Sequence, residues 1–362
     1  MYIPMLKNKQ QEYSVLENMQ PYFGEYVIPL IEIFQEKYEN KFEKDSHTGE
    51  YIRTVKNGKK NKSKVKLPHK PEDIITLSSI SEKMEGKPCF IDYYHKKKTP
   101  TPLMALLRKF PEYKQKILEI TNYDNFIPVV SIINESDFSK NDIISLLTSL
   151  KATKTSYAFR IVVEKILDYA EVIHQFISDK DYLIVDIAES PISSIVQNLH
   201  DIQRLNFAGR KIIVNSTRNA SYTTAPYEED DFTSLIDCSL KNEYKKYGFD
   251  DFGDYCGMKD DLNTGGGRKG IHRGHALALF YCYKENKFYS IKNEEETGQP
   301  GYKEVISKIM SKESFLDSDK DCPVVAQIVR ARQSGKDYTG WAIWNGFIME
   351  RVIHQQYKSF LQ

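Results

Sequence analysis

The sequence predicts an α/β fold: a (β/α)8 TIM-barrel-like domain with a late β-hairpin insertion and a C-terminal helix. Three observations predict it. Eight short apolar runs recur along the chain, each too short to cross a membrane and too β-branched to favour a helix. Segments with helical spacing separate most of them, and strict strand–helix alternation implies parallel βαβ units. Six runs are interrupted by a charged residue, most near the C-terminal end: Glu32, Asp92, Arg160, Asp186, Asp237 and Asp254. A charge inside a buried strand is costly unless paired, so its repetition at one end of several strands points to a polar site built on a rigid sheet.

The elements follow in order. EYSVLENM (12–19) has helical spacing and precedes the first run, VIPLIEI (27–33). Residues 37–70 form a polar insertion with lysines at 56, 59, 60, 62, 64 and 66, and Asn57-Gly58 is a hairpin signal within it. CFIDYY (89–94) is the second run. A helical stretch at 101–120, with apolar residues at 103, 106, 107 and 110, leads to FIPVVSI (126–132). Residues 137–152 place an N-cap-like Ser139 ahead of Ile143, Ile144, Leu146 and Leu147, before YAFRIVV (157–163). Helical segments at 165–177 and 190–205 precede YLIVDI (182–187) and KIIVNST (211–217). SLIDCS (234–239) is the seventh run and FDDFGDYCG (249–257) a weaker eighth.

A second insertion, 258–300, opens with TGGGRKG (264–270) and continues as a hairpin turning near Glu285-Asn286. An apolar-striped helix over about 341–361 is expected to pack outside the barrel. No linker divides the chain, so residues 1–362 read as one domain. Eight units close a barrel, whereas five or six leave an open doubly wound parallel sheet, which is the alternative. An open sheet usually carries a Gly-rich turn after its first strand; VIPLIEIFQEKYEN has none.

Composition sets further bounds. With 40% hydrophobic and 28% charged residues the chain is an ordinary globular one, and a formal net charge of +1 selects neither nucleic acid nor membrane as partner. The N-terminus lacks an apolar signal core, so a cytoplasmic location without membrane contact is expected. Five scattered cysteines encode neither a zinc knuckle nor a disulfide framework. GxSxG, Walker and HExxH motifs are missing, which leaves the common hydrolase, NTPase and zincin readings unsupported.

The chemistry is therefore sought at the strand ends, which form the functional face of a parallel barrel. Glu32 shares a parity with Leu30 and Ile28, Asp186 with Ile184, and Arg160 with Ala158 and Val162. Pointing inward, they converge as two carboxylates and a guanidinium, fit for metal binding, an anion clamp or acid–base work. The competing reading pairs Arg160 with Glu32 or Asp186 as a structural core network. Asp254, flanked by Gly253 and Gly257, stands out of an acidic run (Asp250, Asp251, Asp260, Asp261) able to hold a hard cation. Glu32, Asp186 and Asp254 are thus candidate ligands for Mg or Mn, and with Arg160 candidate catalytic residues. Arg268, Lys269 and Arg273 in the Gly-rich loop, and Lys59 and Lys60 in the insertion, are candidate anion-binding residues. His272 and His275 would face opposite sides of a strand, which argues against a shared metal.

YIPMLKNKQQEYSVLENM, VIPLIEI, AFRIVV, YLIVDIAES and FGDYCG together resemble the beta protein family of phages and bacteria. In that pattern Lys7, Glu12, Glu32, Arg160, Asp186 and Gly253-Asp254-Tyr255 occupy the marked places; Asp92 and Asp237 do not. The resemblance implies a barrel-like fold and a place on mobile or defence-associated loci, in one branch beside a small nuclease-like protein partner. Two functions are carried forward. One is an enzyme of an anti-phage or mobile-element system, a metal-assisted hydrolase of a phosphate ester or nucleotide, with a phosphate-bearing or nucleic-acid ligand. The other is a non-catalytic sensor that recognises a phage or nuclease partner.

Overall fold

The structure, a computed structural model, describes the chain apart from residues 57–58, 94–100, 133–137, 154, 220, 222, 261–273, 298, 337 and 339. Its strands are β1 (Tyr2–Lys7), β2 (Leu30–Glu32), β3 (Arg53–Lys56), β4 (Lys59–Lys64), β5 (Cys89–Asp92), β6 (Phe126–Ile132), β7 (Ala158–Val162), β8 (Tyr182–Asp186), β9 (Arg210–Asn215), β10 (Asp230–Thr233), β11 (Asp251–Asp254), β12 (His275–Cys282) and β13 (Lys287–Thr297). Eight of them close a parallel barrel in the order β1-β11-β9-β8-β7-β6-β5-β2. The closed barrel, and not the open sheet, is the architecture.

Membership differs by one strand from the sequence expectation. YIPMLK, which holds a proline and ends in lysine, is barrel strand β1; Pro4 lies in register with Asp254 of β11. SLIDCS (234–239) is not a barrel strand. Ile236 makes one isolated bridge to Arg218, and the Asp237 carboxylate accepts the Ser239 N–H at 2.8 Å, an Asx turn that ends extended backbone and leads into a short helix at Leu240. Each misassignment offset the other in the count of eight.

Alternation sorts the barrel side chains. Ile3, Met5, Leu30, Phe90, Val129, Ala158, Ile184, Ile212 and Val214 fill the interior, while their neighbours face the surrounding helices. Gly253 takes an interior place on β11, where a Cβ would come within 2.7 Å of Ile3 Cβ. That close approach, rather than a turn, is what glycine allows there. Gly257 is the turn glycine, with φ +71°.

The predicted hairpin β12–β13 exists and gains a third strand, giving an antiparallel sheet in the order β10-β13-β12. It turns at Asn286, in the left-handed region at φ 51°. Ala278, Phe280 and Ile291 pack there with Val305, Val325 and Trp344 into a second apolar cluster. The helix Trp341–Leu361 runs from this cluster onto the helix Gln10–Met19, where Gly346 leaves room for the Gln11 side chain. Among the described residues, strands β3 and β4 pair only with each other, on either side of Asn57-Gly58, which lies outside them. No described helix is long and apolar enough to cross a membrane.

Candidate functional site

The last inward residues of the strands form a polar layer at the C-terminal end of the barrel. Register sets it: Lys7 of β1 lies beside Glu32 of β2, and Glu32 beside Asp92 of β5. Across the barrel, Ser131 of β6 lies beside Arg160 of β7, and Asp186 ends β8.

Arg160 is the centre of this layer and is fully buried, with 0% exposure. Its Nε donates to Asp186 Oδ2 at 3.1 Å. Nη1 donates to Glu32 Oε1 and Asp92 Oδ2, both at 2.8 Å. Nη2 donates to Asp186 Oδ2 at 2.6 Å and to the Tyr255 hydroxyl at 3.2 Å. A guanidinium has five N–H groups, and these five bonds use them all. Burial opposes the charge, but the three carboxylates outweigh it and hold the Arg160 pKa well above its ordinary value.

The acceptors are held in turn. The Tyr255 hydroxyl donates to Glu32 Oε1 at 2.8 Å, and Ser131 Oγ donates to Asp92 Oδ2 at 2.7 Å. Asp186 Oδ1 accepts the Ala188 N–H at 2.8 Å, with Ala188 itself at φ 49°. Among the described residues, Glu32 Oε2 and Asp92 Oδ1 have no hydrogen-bond partner. Glu32 Oε2 lies 3.4 Å from Lys7 Nζ, which also donates to Asp260 and sits 4.1 Å above the Tyr255 ring.

The structure thus brings Glu32, Arg160 and Asp186 together and adds Asp92, Ser131, Tyr255 and Lys7. Asp254 is elsewhere. It points out of the barrel wall, accepting from the Tyr2 hydroxyl at 2.8 Å and the Cys256 N–H at 2.6 Å. Burial pushes its carboxyl up to about 6. Asp254, Cys238, Lys241 and Tyr281 line a small cavity between the barrel and the outer sheet, where burial brings the Lys241 ammonium down to about 8.

The rest of the acidic run is dispersed as well: Asp251 pairs with Arg210, the Asp250 carboxylate accepts the Lys211 N–H, Asp260 meets Lys7, and Asp261 lies outside the described residues. Among the described residues no three His, Cys, Asp or Glu side chains gather in a way that would hold a metal ion. In the cluster the guanidinium occupies the space between the carboxylates. Arg268, Lys269, Arg273 and His272 lie outside the described residues. Lys59 and Lys60 fall on β4, and their side chains are likewise not described.

Above the cluster, a cleft of about 610 Å³ opens at the mouth beside β1 and β11. Lys7 and Tyr255 line it and connect it to the buried layer; Lys9, Arg218 and Lys259 line it too. Arg218 is 8% exposed, lies 5.1 Å over the Tyr227 ring, and its buried Nε has no hydrogen-bond partner among the described residues. Glu12 is the acid of the cleft, its carboxyl raised by burial.

Asp92 was legible from parity, since it alternates with Phe90 as Glu32 does with Leu30. Arg218 and Lys259 carried no sequence signal, because each sits in a loop far along the chain from Lys7 and Lys9. A family model described as Beta protein matches residues 2–356. No curated protein matches the chain.

Proposed function

The chain belongs to the Beta protein family, and we propose that it serves an anti-phage or mobile-element system by binding a phosphate-bearing ligand at the barrel mouth. The family resemblance supports the system. The cleft supports the ligand, and one observation carries it: Lys7, Lys9, Arg218 and Lys259 line one cavity at the C-terminal face. Cations gathered at one cavity attract an oxyanion, and a guanidinium or ammonium bonds it through charge-assisted hydrogen bonds.

The buried layer takes a supporting part. All five Arg160 donors are already bonded, so Arg160 does not clamp an incoming anion; it fixes Glu32 and Tyr255, which in turn hold Lys7 at the cleft. Recognition is favoured over catalysis for the same reason. The carboxylates are occupied by the guanidinium rather than poised at the cavity.

Calorimetric titration with pyrophosphate tests this. Binding should weaken as salt rises, and Arg218→Gln or Lys259→Ala should each reduce affinity about tenfold, or ~1.4 kcal/mol. Absence of heat and of thermal stabilisation at about 10 mM pyrophosphate, weaker than any specific site, would defeat the reading.

A further inference from the structure

The cleft is mixed in chemistry. Its lining combines the cations Lys7, Lys9, Arg218 and Lys259 with the apolar and aromatic side chains of Met5, Met258, Met349 and Trp341. Trp341 is one of several large apolar side chains left partly open to solvent, at 37% exposure. It is nevertheless held in place, since its ring meets Tyr302 edge-on with centroids 5.5 Å apart. The chain's second tryptophan, Trp344, is 1% exposed and stacks on Tyr302 in the apolar cluster beneath. Asn345, one helical turn beyond Trp341, and Glu12 also line the cleft.

We infer that the phosphate-bearing ligand of this cleft is a nucleoside phosphate, with its base on Trp341 and its phosphates on the cations around Arg218. The inference rests on the anion-binding reading of the mouth and names the ligand class within it. Each group has a task that a bare anion does not require. An exposed, anchored indole offers a stacking face that accepts any base. The Asn345 amide matches the donor and acceptor pattern of a base edge. Glu12 would repel a phosphate placed beside it but accepts hydrogen bonds from sugar hydroxyls. The base and the phosphates are thus assigned to different groups of the same lining. About 610 Å³ is within the range of small-molecule sites.

Tryptophan fluorescence of the full-length chain provides the test, with pyrophosphate and the four ribonucleoside diphosphates as probes. At least one diphosphate is expected to bind about tenfold more tightly than pyrophosphate and to quench emission. Trp341→Ala should bring that nucleotide down to the pyrophosphate affinity while leaving pyrophosphate binding unchanged, and Trp341→Phe should restore most of the difference. Circular dichroism melts establish that both variants fold, as exposure of the residue leads one to expect. If every nucleotide binds no better than pyrophosphate, and Trp341→Ala changes neither, the nucleoside assignment is overturned and the anion site stands. If neither pyrophosphate nor nucleotide binds, both fall.

Discussion

Replacing Arg160 with methionine keeps an unbranched apolar stem and removes the charge and the donors. In the native protein this guanidinium makes five hydrogen bonds, four of them to carboxylates, and is reached by no solvent. Arg160→Met leaves Glu32, Asp92 and Asp186 gathered in the barrel with Lys7 as the adjacent cation. Breaking a buried ion pair by removing one partner costs about 3–5 kcal/mol, because the remaining charge is left without compensation. With three carboxylates exposed to that cost, the upper end applies, about 5 kcal/mol out of a total stability of about 5–15.

Arg160→Lys, which restores the charge but offers three donors from a single point, should fall between, at about 2–3 kcal/mol. Glu32→Gln removes one anion yet keeps an oxygen to accept from Arg160 and Tyr255, so its cost should stay below about 2 kcal/mol. Guanidinium denaturation followed by circular dichroism gives the three values. A loss below about 1 kcal/mol for Arg160→Met would refute the reasoning, since it would mean that the three carboxylates are solvated rather than confined.

Further outcomes follow from the same structure. Asp254 has a folded pKa raised from 3.8 to about 6 by burial, so its contribution to stability is greatest at acid pH and is lost as pH rises towards 6. Asp254→Asn, still able to accept from Tyr2 and Cys256, should therefore stabilise the protein by up to ~3 kcal/mol near pH 8 and by nothing near pH 3, read from melts at both values. Glu350, raised by burial to about 7 and bonded by Asn18, should behave likewise: Glu350→Gln gains stability above about pH 7 and none below about pH 4. Gly253→Ala forces a methyl onto Ile3 and should cost about 1–3 kcal/mol in denaturant. Replacing residues 53–64 with a short turn, since β3 and β4 pair only with each other, should shift the denaturation midpoint by less than the equivalent of about 1 kcal/mol.

The barrel was legible because its strands are short, β-branched and spaced by helices, and these properties survive in a bare sequence. Strand β1 was not, since YIPMLK carries a proline and a terminal lysine that speak against a strand, while its neighbours in space, β2 and β11, supply the pairing. SLIDCS misled for the opposite reason: it has a strand's composition, but Asp237 turns the chain through its own side chain. In the site, parity placed Glu32, Arg160 and Asp186 on one interior face and could have placed Asp92 there. Parity also separates Asp254 from Tyr255, but on β11 the interior position before them is Gly253, whose lack of a side chain hid which face was inward. The cleft was beyond reach, because Lys7, Arg218, Lys259 and Trp341 meet only after the barrel closes and the C-terminal helix returns to its mouth.

The most direct test of the account is a crystal structure of the full chain grown with pyrophosphate. The anion should be seated in the mouth cleft, within hydrogen-bond distance of the Arg218 guanidinium and one of Lys7, Lys9 or Lys259, over an Arg160 still bonded to Glu32, Asp92 and Asp186. Pyrophosphate bound elsewhere, or bound by Arg160 with its carboxylates displaced, would contradict it.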